Sequence, residues 1–214
     1  MSEQMNTALG LLSQIGAVLT NDHLVYTSGR HGSAYLNKDA IYPHTAITSR
    51  LCAGIAAWFS PHDVDAVIAP AVGGVILSQW TAHHLSATRD QEVLGLYADK
   101  VGEEFVIKRG YDRYIPGKNI LVVEDVLTTG GSVRKVIDGV RELGGTVVGV
   151  GALCNRGAVT PTDLGDVPEL FASVTVDFES WEAEECPLCK KGMPVNTSVG
   201  KGLEFLAARA GSSR

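Results

Sequence analysis

Apolar residues along this chain fall into short β-branched runs that alternate with stretches of helical period. The clearest unit is Asn119 to Gly145, NILVVEDVLTTGGSVRKVIDGVRELGG. Ile120 to Val123 is a continuous apolar run, which predicts a buried strand. A polar, glycine-bearing loop follows. Val133, Val136, Ile137, Val140 and Leu143 then recur on one helical face. Upstream, Leu11, Leu12, Ile15 and Val18 share a face and predict a helix over 7–19. A short strand from Asp22 runs into a polar turn at Thr27 to Ser33, and Ala34 to Asn37 resumes an extended pattern. Helices are predicted over Thr45 to Trp58 and Val75 to Leu85. Strands are predicted over Val64 to Ala69, Glu92 to Tyr97, Thr146 to Leu153 and Leu170 to Val176. A short helix, Gly202 to Ala210, closes the chain.

Strands separated by helices predict an α/β fold, a mainly parallel central sheet flanked by helices with right-handed crossovers. Ligands of such sheets bind at the carboxyl ends of the strands. The loops at 70–74 and 128–132 therefore share one edge. Between Asp99 and Lys118 the pattern weakens and fills with charges and aromatics, which reads as a two-stranded excursion or mobile flap.

Composition adds bounds. The chain has 214 residues, 45% hydrophobic and 20% charged, ordinary globular values that fit one domain, with or without a small appendage. A net charge of −6 disfavours DNA as a partner. No stretch approaches the roughly 18 apolar residues that span a bilayer. The first residues, MSEQMNTALGLLSQIG, lack a basic region and a signal-length apolar core, so no membrane and a cytoplasmic location are expected. The four cysteines, Cys52, Cys154, Cys186 and Cys189, are too few and scattered for a disulfide scaffold and are expected to be thiols.

The candidate chemistry sits in the loops. Pro116-Gly117-Lys118 is not a P-loop, because Asp112 and Asn119 occupy places that need glycine and Ser or Thr. Gly73-Gly74 lacks the dinucleotide-binding spacing. In the opening unit, Glu124 and Asp125 directly precede Thr128-Thr129-Gly130-Gly131-Ser132 at a helix start. Such a loop offers backbone N–H groups and hydroxyls to a phosphate. Paired carboxylates beside it accept hydrogen bonds from sugar hydroxyls, or meet a divalent cation.

VVEDVLTTGGS resembles the phosphoribosyl-pyrophosphate (PRPP) motif of the type I phosphoribosyltransferases. The resemblance implies that Glu124 and Asp125 hold the ribose hydroxyls of PRPP. It implies that Thr128, Thr129, Gly130, Gly131 and Ser132 form the 5′-phosphate loop, and that Val126 and Leu127 also bind PRPP. Ala69 to Gly74 looks like the family's pyrophosphate loop, with Ala71 and Gly73 meeting the leaving group. Thr27-Ser28-Gly29-Arg30 and Tyr35-Leu36-Asn37 look like the N-terminal segment of orotate phosphoribosyltransferases. Arg156, at the end of the strand after the PRPP motif, stands where those enzymes pair an arginine with the orotate carboxylate. Tyr35, Thr128 and Arg156 are thus the expected base contacts. Thr27 replaces the family's lysine, Leu36 replaces an aromatic, and Glu124 replaces an aspartate. Lys100 resembles a lysine that contacts PRPP, and Lys108 and Arg109 occupy the catalytic loop.

On this resemblance the chain is one phosphoribosyltransferase domain over 1–214. Its hood comes from 1–44 and 177–214, and its flexible catalytic flap is 99–118. The expected reaction is transfer from PRPP to orotate, in pyrimidine synthesis, with Asp125, Lys100, Lys108 and Arg109 catalytic. Mg²⁺ is expected to be held mainly by PRPP and pyrophosphate. A homodimer is expected, with the flap reaching the neighbouring site. A phosphoribosyltransferase for another base and a PRPP-sensing regulator remain alternatives. No protein-ligated metal is expected: the Cys186-x-x-Cys189 pair reads as structural or incidental rather than as half a zinc site. His83-His84 reads as surface, and Glu182, Glu184 and Glu185 as a solvated turn.

Overall fold

The computed structural model describes residues 3–89, 91–176 and 179–212. Parts of the expected hood (1–2, 177–178 and 213–214) lie outside the described residues. The chain divides into two compact units, one of Met1–Ala8 with His44–Val176, the other of Leu9–Pro43 with Asp177–Arg214.

In chain order the elements are α1 (Glu3–Gln14), β1 (Val18–Val25), β2 (His31–Leu36), α2 (Thr45–Phe59), β3 (Ala66–Pro70), α3 (Gly74–Ala87), β4 (Leu94–Val101), β5 (Glu104–Val106), β6 (Asn119–Leu127), α4 (Gly131–Glu142), β7 (Thr146–Asn155), β8 (Leu170–Thr175), β9 (Ser180–Trp181), α5 (Pro187–Lys190) and α6 (Gly202–Ser212). Short 3₁₀ turns at Lys38–Ala40 and Asp112–Tyr114 complete the described structure.

The first unit is built on a six-stranded sheet of order β5-β4-β3-β6-β7-β8. All neighbours in it pair in parallel except β5, which returns antiparallel against β4. The chain winds outward from β3 to β4, then crosses back to lay β6 on the other side of β3. That reversal is a topological switch point, where a ligand crevice opens beyond the carboxyl ends of the two strands. β3 is buried at every residue, and β6 is buried from Ile120 to Asp125. Val133, Val136, Ile137 and Val140 of α4 are buried in the same core, with Leu143 partly buried against it. Each such side chain contributes about 1.5–3 kcal/mol by leaving water.

Several expected boundaries shift, each for a local reason. The helix predicted over 7–19 ends at Gln14. Gly16 adopts φ +66, Gly16 N–H donates to Ser13 O at 3.1 Å, and Ala17 N–H donates to Leu12 O at 3.0 Å. This pair of bonds closes a helix on a left-handed glycine, and it frees Val18 to begin β1. The strand predicted as Ile120 to Val123 runs on to Leu127, so both acids lie on the strand itself. Pairing with β7 continues through Glu124↔Ala152 to Leu127↔Asn155, and this ladder extends the strand past its apolar run. The charged excursion forms as β4 overruns to Val101 and pairs Lys100 with Phe105 of β5. His84 of the expected surface pair is half-buried, 2.9 Å from the Ser49 hydroxyl. The two-residue β9 and the one-turn α5 are too short for periodicity to predict.

The second unit holds a three-stranded antiparallel sheet, β1-β2-β9. Tyr26 and Arg30 close the β1–β2 turn, with Tyr26 N–H donating to Arg30 O at 2.8 Å. The Arg30 guanidinium reaches β9, donating to Ser180 Oγ at 3.0 Å and to the exposed Glu182 carboxylate. Tail residues lie along β1, through Asn196 N–H to His23 O at 2.7 Å and Lys201 N–H to Val25 O at 2.8 Å.

Candidate functional site

The end of β6 carries the two acids, and both are buried, Glu124 at 9% and Asp125 at 3% exposure. Buried carboxylates need hydrogen-bond donors. Each accepts one from the following amide: Asp125 N–H to Glu124 Oε1 at 3.0 Å, and Val126 N–H to Asp125 Oδ1 at 2.7 Å. Val126 is half-buried and Leu127 is buried. Thr128, Thr129, Gly131 and Ser132 are exposed around the buried Gly130.

Gly130 precedes α4 with φ +76, a left-handed conformation that favours glycine. A Cβ there would also lie 2.5 Å from Leu164 Cδ2. No side chain of the capping residue closes the α4 N-terminus. Thr129 Oγ1 accepts the Gly131 N–H at a long 3.4 Å. The start of α4 thus presents backbone donors and hydroxyls to solvent beside two carboxylates, the arrangement that receives a phosphate and a polyol.

The segment after β7 is bound to this loop. Leu127 O accepts from Arg156 N–H at 2.9 Å and Gly157 N–H at 3.2 Å. The Arg156 guanidinium donates to Thr128 Oγ1 at 3.1 Å. Gly157 is packed so closely that a Cβ would fall 1.6 Å from Thr128 O. Asn155 shapes the turn, its side chain donating to Val159 O at 2.8 Å and accepting Val159 N–H at 3.0 Å. Sequence reading did not single out Asn155 or Gly157; a buried Asn followed by Arg-Gly at a strand end was the available signal. The Cys154 thiol is pushed up to about 11 by burial, with Arg156 pulling against that, so it is protonated at neutral pH.

Ala71 and Gly73 sit in the loop between β3 and α3, and Ala71 N–H donates to Ala98 O of β4 at 2.8 Å. The Ala71–Val72 peptide is cis, and the Val72 side chain is 85% exposed. Because β3 and β6 are paired neighbours, with Ile68 opposite Val122, this loop and the acid-bearing strand end share an edge.

The flap cations are exposed. Arg109 grips Asp99 through two bonds, Nε to Oδ2 at 2.8 Å and Nη2 to Oδ1 at 3.0 Å, with Lys108 Nζ 3.9 Å from the same carboxylate. The Arg109 hydrogen bond and charge hold the Asp99 carboxyl below its usual range. The Arg109 guanidinium also lies 5.7 Å from the centre of the Tyr97 ring. Lys100 is exposed on β4, opposite Phe105 of β5.

Tyr35 belongs to the second unit, half-buried on β2 opposite Leu19. The Cys186–Cys189 pair is also there, and its ligand atoms lie within 4.8 Å of those of His23 and His31. Neither histidine was singled out from sequence. His23 in the predicted short strand and His31 in the polar turn after it, in a chain with a Cys-x-x-Cys, were the available signal.

A family model described as phosphoribosyl transferase domain matches residues 38–187. The orotate phosphoribosyltransferase of Pelotomaculum thermopropionicum is 40% identical over 188 residues, 87% of this chain and 92% of that one. That of Chlorobium phaeobacteroides is 37% identical over 190 residues, 88% of this chain and 92% of that one. Among solved structures, Mycobacterium tuberculosis orotate phosphoribosyltransferase matches with TM-score 0.64 at 18% identity, over 81% of this chain and 97% of that one. The Aeropyrum pernix enzyme matches with TM-score 0.56 at 25% identity, over 78% and 93%. The chain belongs to the phosphoribosyltransferase family, and it resembles the orotate phosphoribosyltransferases over most of its length.

Proposed function

We propose that this chain transfers the 5-phosphoribosyl group of PRPP to orotate, giving orotidine 5′-phosphate and pyrophosphate in pyrimidine synthesis. The observation that carries this reading is the tie between two loops. The strand end that suits a sugar phosphate, Glu124 to Ser132, is bonded through Thr128 and Leu127 to Arg156, whose fork suits a planar carboxylate.

In the proposed reaction the C1′–oxygen bond breaks, its electron pair leaving on pyrophosphate. A bond forms from C1′ to an orotate nitrogen, which gives up its proton to water. The transition state carries positive charge on the ribose ring. Glu124 and Asp125 accept hydrogen bonds from the ribose hydroxyls, and Asp125 also faces the growing charge. The amides and hydroxyls of Val126 to Ser132 hold the 5′-phosphate. The backbone at Ala71 and Gly73 meets the pyrophosphate. Lys100, Lys108 and Arg109 close over the leaving group, and Arg109 must exchange Asp99 for phosphate oxygens to do so. Thr128 and Arg156 contact the base.

The carboxylates at this strand end supply hard oxygen donors suited to Mg²⁺, but they are too few for a protein cage. Among the described residues, the only group of three or more His, Cys, Asp or Glu with clustered ligand atoms lies in the second unit. PRPP oxygens and water would therefore carry most of the ion's coordination, and the ion would neutralise the leaving pyrophosphate. The reading includes a cytoplasmic homodimer whose flap reaches the neighbouring site. Among the described residues no helix is long and apolar enough to cross a membrane.

The test is pyrophosphate release by purified protein given PRPP, Mg²⁺ and a panel of bases. Release with orotate alone is expected. Release only with another base would contradict the orotate assignment, and PRPP binding with no turnover on any base would favour a sensor.

A further inference from the structure

We propose that the second unit contains a structural zinc site formed by His23 Nε2, His31 Nδ1, Cys186 Sγ and Cys189 Sγ. These residues come from three separate segments: His23 on β1, His31 at the start of β2, and the two cysteines at the ends of a tight turn. His23, His31 and Cys186 are buried, at 1%, 0% and 0% exposure. Cys189 is half-buried.

The spacing fits one ion. His23 Nε2 lies 2.9 Å from His31 Nδ1, and 3.6 Å from each of Cys186 Sγ and Cys189 Sγ. Cys189 Sγ lies 3.4 Å from His31 Nδ1. A tetrahedral zinc with bonds of about 2.0–2.1 Å to nitrogen and 2.3 Å to sulfur sets its ligand atoms roughly 3.3–3.8 Å apart. Three of these four distances fall in that range or within about 0.2 Å of it, and the nitrogen pair needs only a small separation.

Hydrogen bonding assigns the lone pairs. His23 Nδ1 lies 2.7 Å from Met193 O. A carbonyl only accepts, so the proton sits on Nδ1 and the Nε2 lone pair faces the cluster. Fixing a ligand imidazole through its outer nitrogen is the usual support of a metal-bound histidine. That single in-plane lone pair can accept one good hydrogen bond, yet three polar atoms converge on it. A cation at their common centre accounts for all three. The His31 Nε2 atom is buried with no hydrogen-bond partner among the described residues; with zinc on Nδ1 it would carry the ring proton, and the ring packs edge-on to Phe205 with centroids 4.6 Å apart.

The cysteine turn is shaped for the role. Cys186 caps α5, and the Cys189 N–H points at Cys186 Sγ at 3.5 Å. Pro187 fills the first helical position. The other two cysteines, Cys52 and Cys154, are fully buried elsewhere, and burial pushes the Cys52 thiol up to about 12. Two nitrogen and two sulfur donors select zinc over magnesium or calcium. Four protein ligands leave no open position, so the ion would be structural. It would join the β1–β2 hairpin to the tail in a unit whose sheet has only three strands.

The test uses the full chain, purified under reducing conditions without a metal-affinity step. Elemental analysis should find one zinc per chain. Cobalt(II) added to the metal-free protein should give intense visible bands of a tetrahedral centre, with thiolate charge transfer in the near ultraviolet. His31→Ala and Cys189→Ser should lose the ion, whereas Cys52→Ala should keep it. The cobalt spectrum of the wild type needs no variant to fold. Absence of zinc together with absence of tetrahedral cobalt bands would overturn the proposal. So would a Cys186–Cys189 disulfide in the reduced preparation, or retention of the ion in both ligand variants.

Discussion

The β6 strand end and the His23–His31–Cys186–Cys189 cluster use the chain in opposite ways. The first takes its acids, hydroxyls and amides from one unbroken stretch, Glu124 to Ser132, placed by a strand and a helix start. The second collects four side chains from positions up to 166 residues apart. The first offers oxygen acceptors and backbone donors, which suit a sugar phosphate that comes and goes. The second offers buried nitrogen and sulfur, which suit an ion that stays. On the two proposals, the difference separates a site that performs chemistry from one that holds a shape.

Substitutions can break that contrast. The largest effect is expected from Asp125→Asn, which should lower turnover about 100- to 1,000-fold, the scale for removing one group that meets transition-state charge. The cobalt spectrum of the second unit should not change in this variant. Steady-state kinetics beside that spectrum checks both halves, and a shared loss would mean that the two regions are not independent. Gly157→Ala should cost about 1–3 kcal/mol of stability through overpacking. It should also weaken PRPP binding, because the new Cβ collides with Thr128 O. Denaturation and PRPP titration measure the two effects, and an unchanged PRPP affinity would uncouple the β7 turn from the phosphate loop.

The smallest effect tests a long-range tie inside the first unit. The Asp65 carboxylate accepts Asn119 N–H at 2.8 Å and Lys118 Nζ at 3.0 Å, setting the start of β6. Burial pushes this carboxyl up, but the Asn119 amide and the Lys118 ammonium outweigh it and hold the carboxyl below its ordinary value. Asp65→Asn should cost about 1 kcal/mol at neutral pH. A carboxylate depressed by folding contributes fully above its unfolded-state pKa of about 4, and the contribution is lost as pH falls through the folded value. The gap between wild type and variant should therefore be flat near neutrality and close on acidification. Denaturant melts across that range check the sign, and a gap that widens in acid would contradict it.

The same contrast explains what could be read from the sequence. The α4 face and the β6 core were legible because periodicity is a local property. The acids and the hydroxyl loop were legible because they adjoin. Arg156 was reached only by resemblance, since its bond to Thr128 spans 28 residues. The end of α1 was misread because Gly16 stops the helix while Ile15 and Val18 continue its apolar face. His23 and His31 looked scattered because only the pairing of β1 with β2, and the return of the tail, brings them to Cys186 and Cys189.

The most direct test of the proposed function compares kcat/KM for orotate with that for uracil, which lacks the carboxylate, in the wild type and in Arg156→Ala. The wild type should prefer orotate by at least about 100-fold, because uracil leaves a site group unpaired. Arg156→Ala should collapse that preference while the KM for PRPP changes little. Equal use of the two bases by the wild type, or a preference that survives in the variant, would contradict the account.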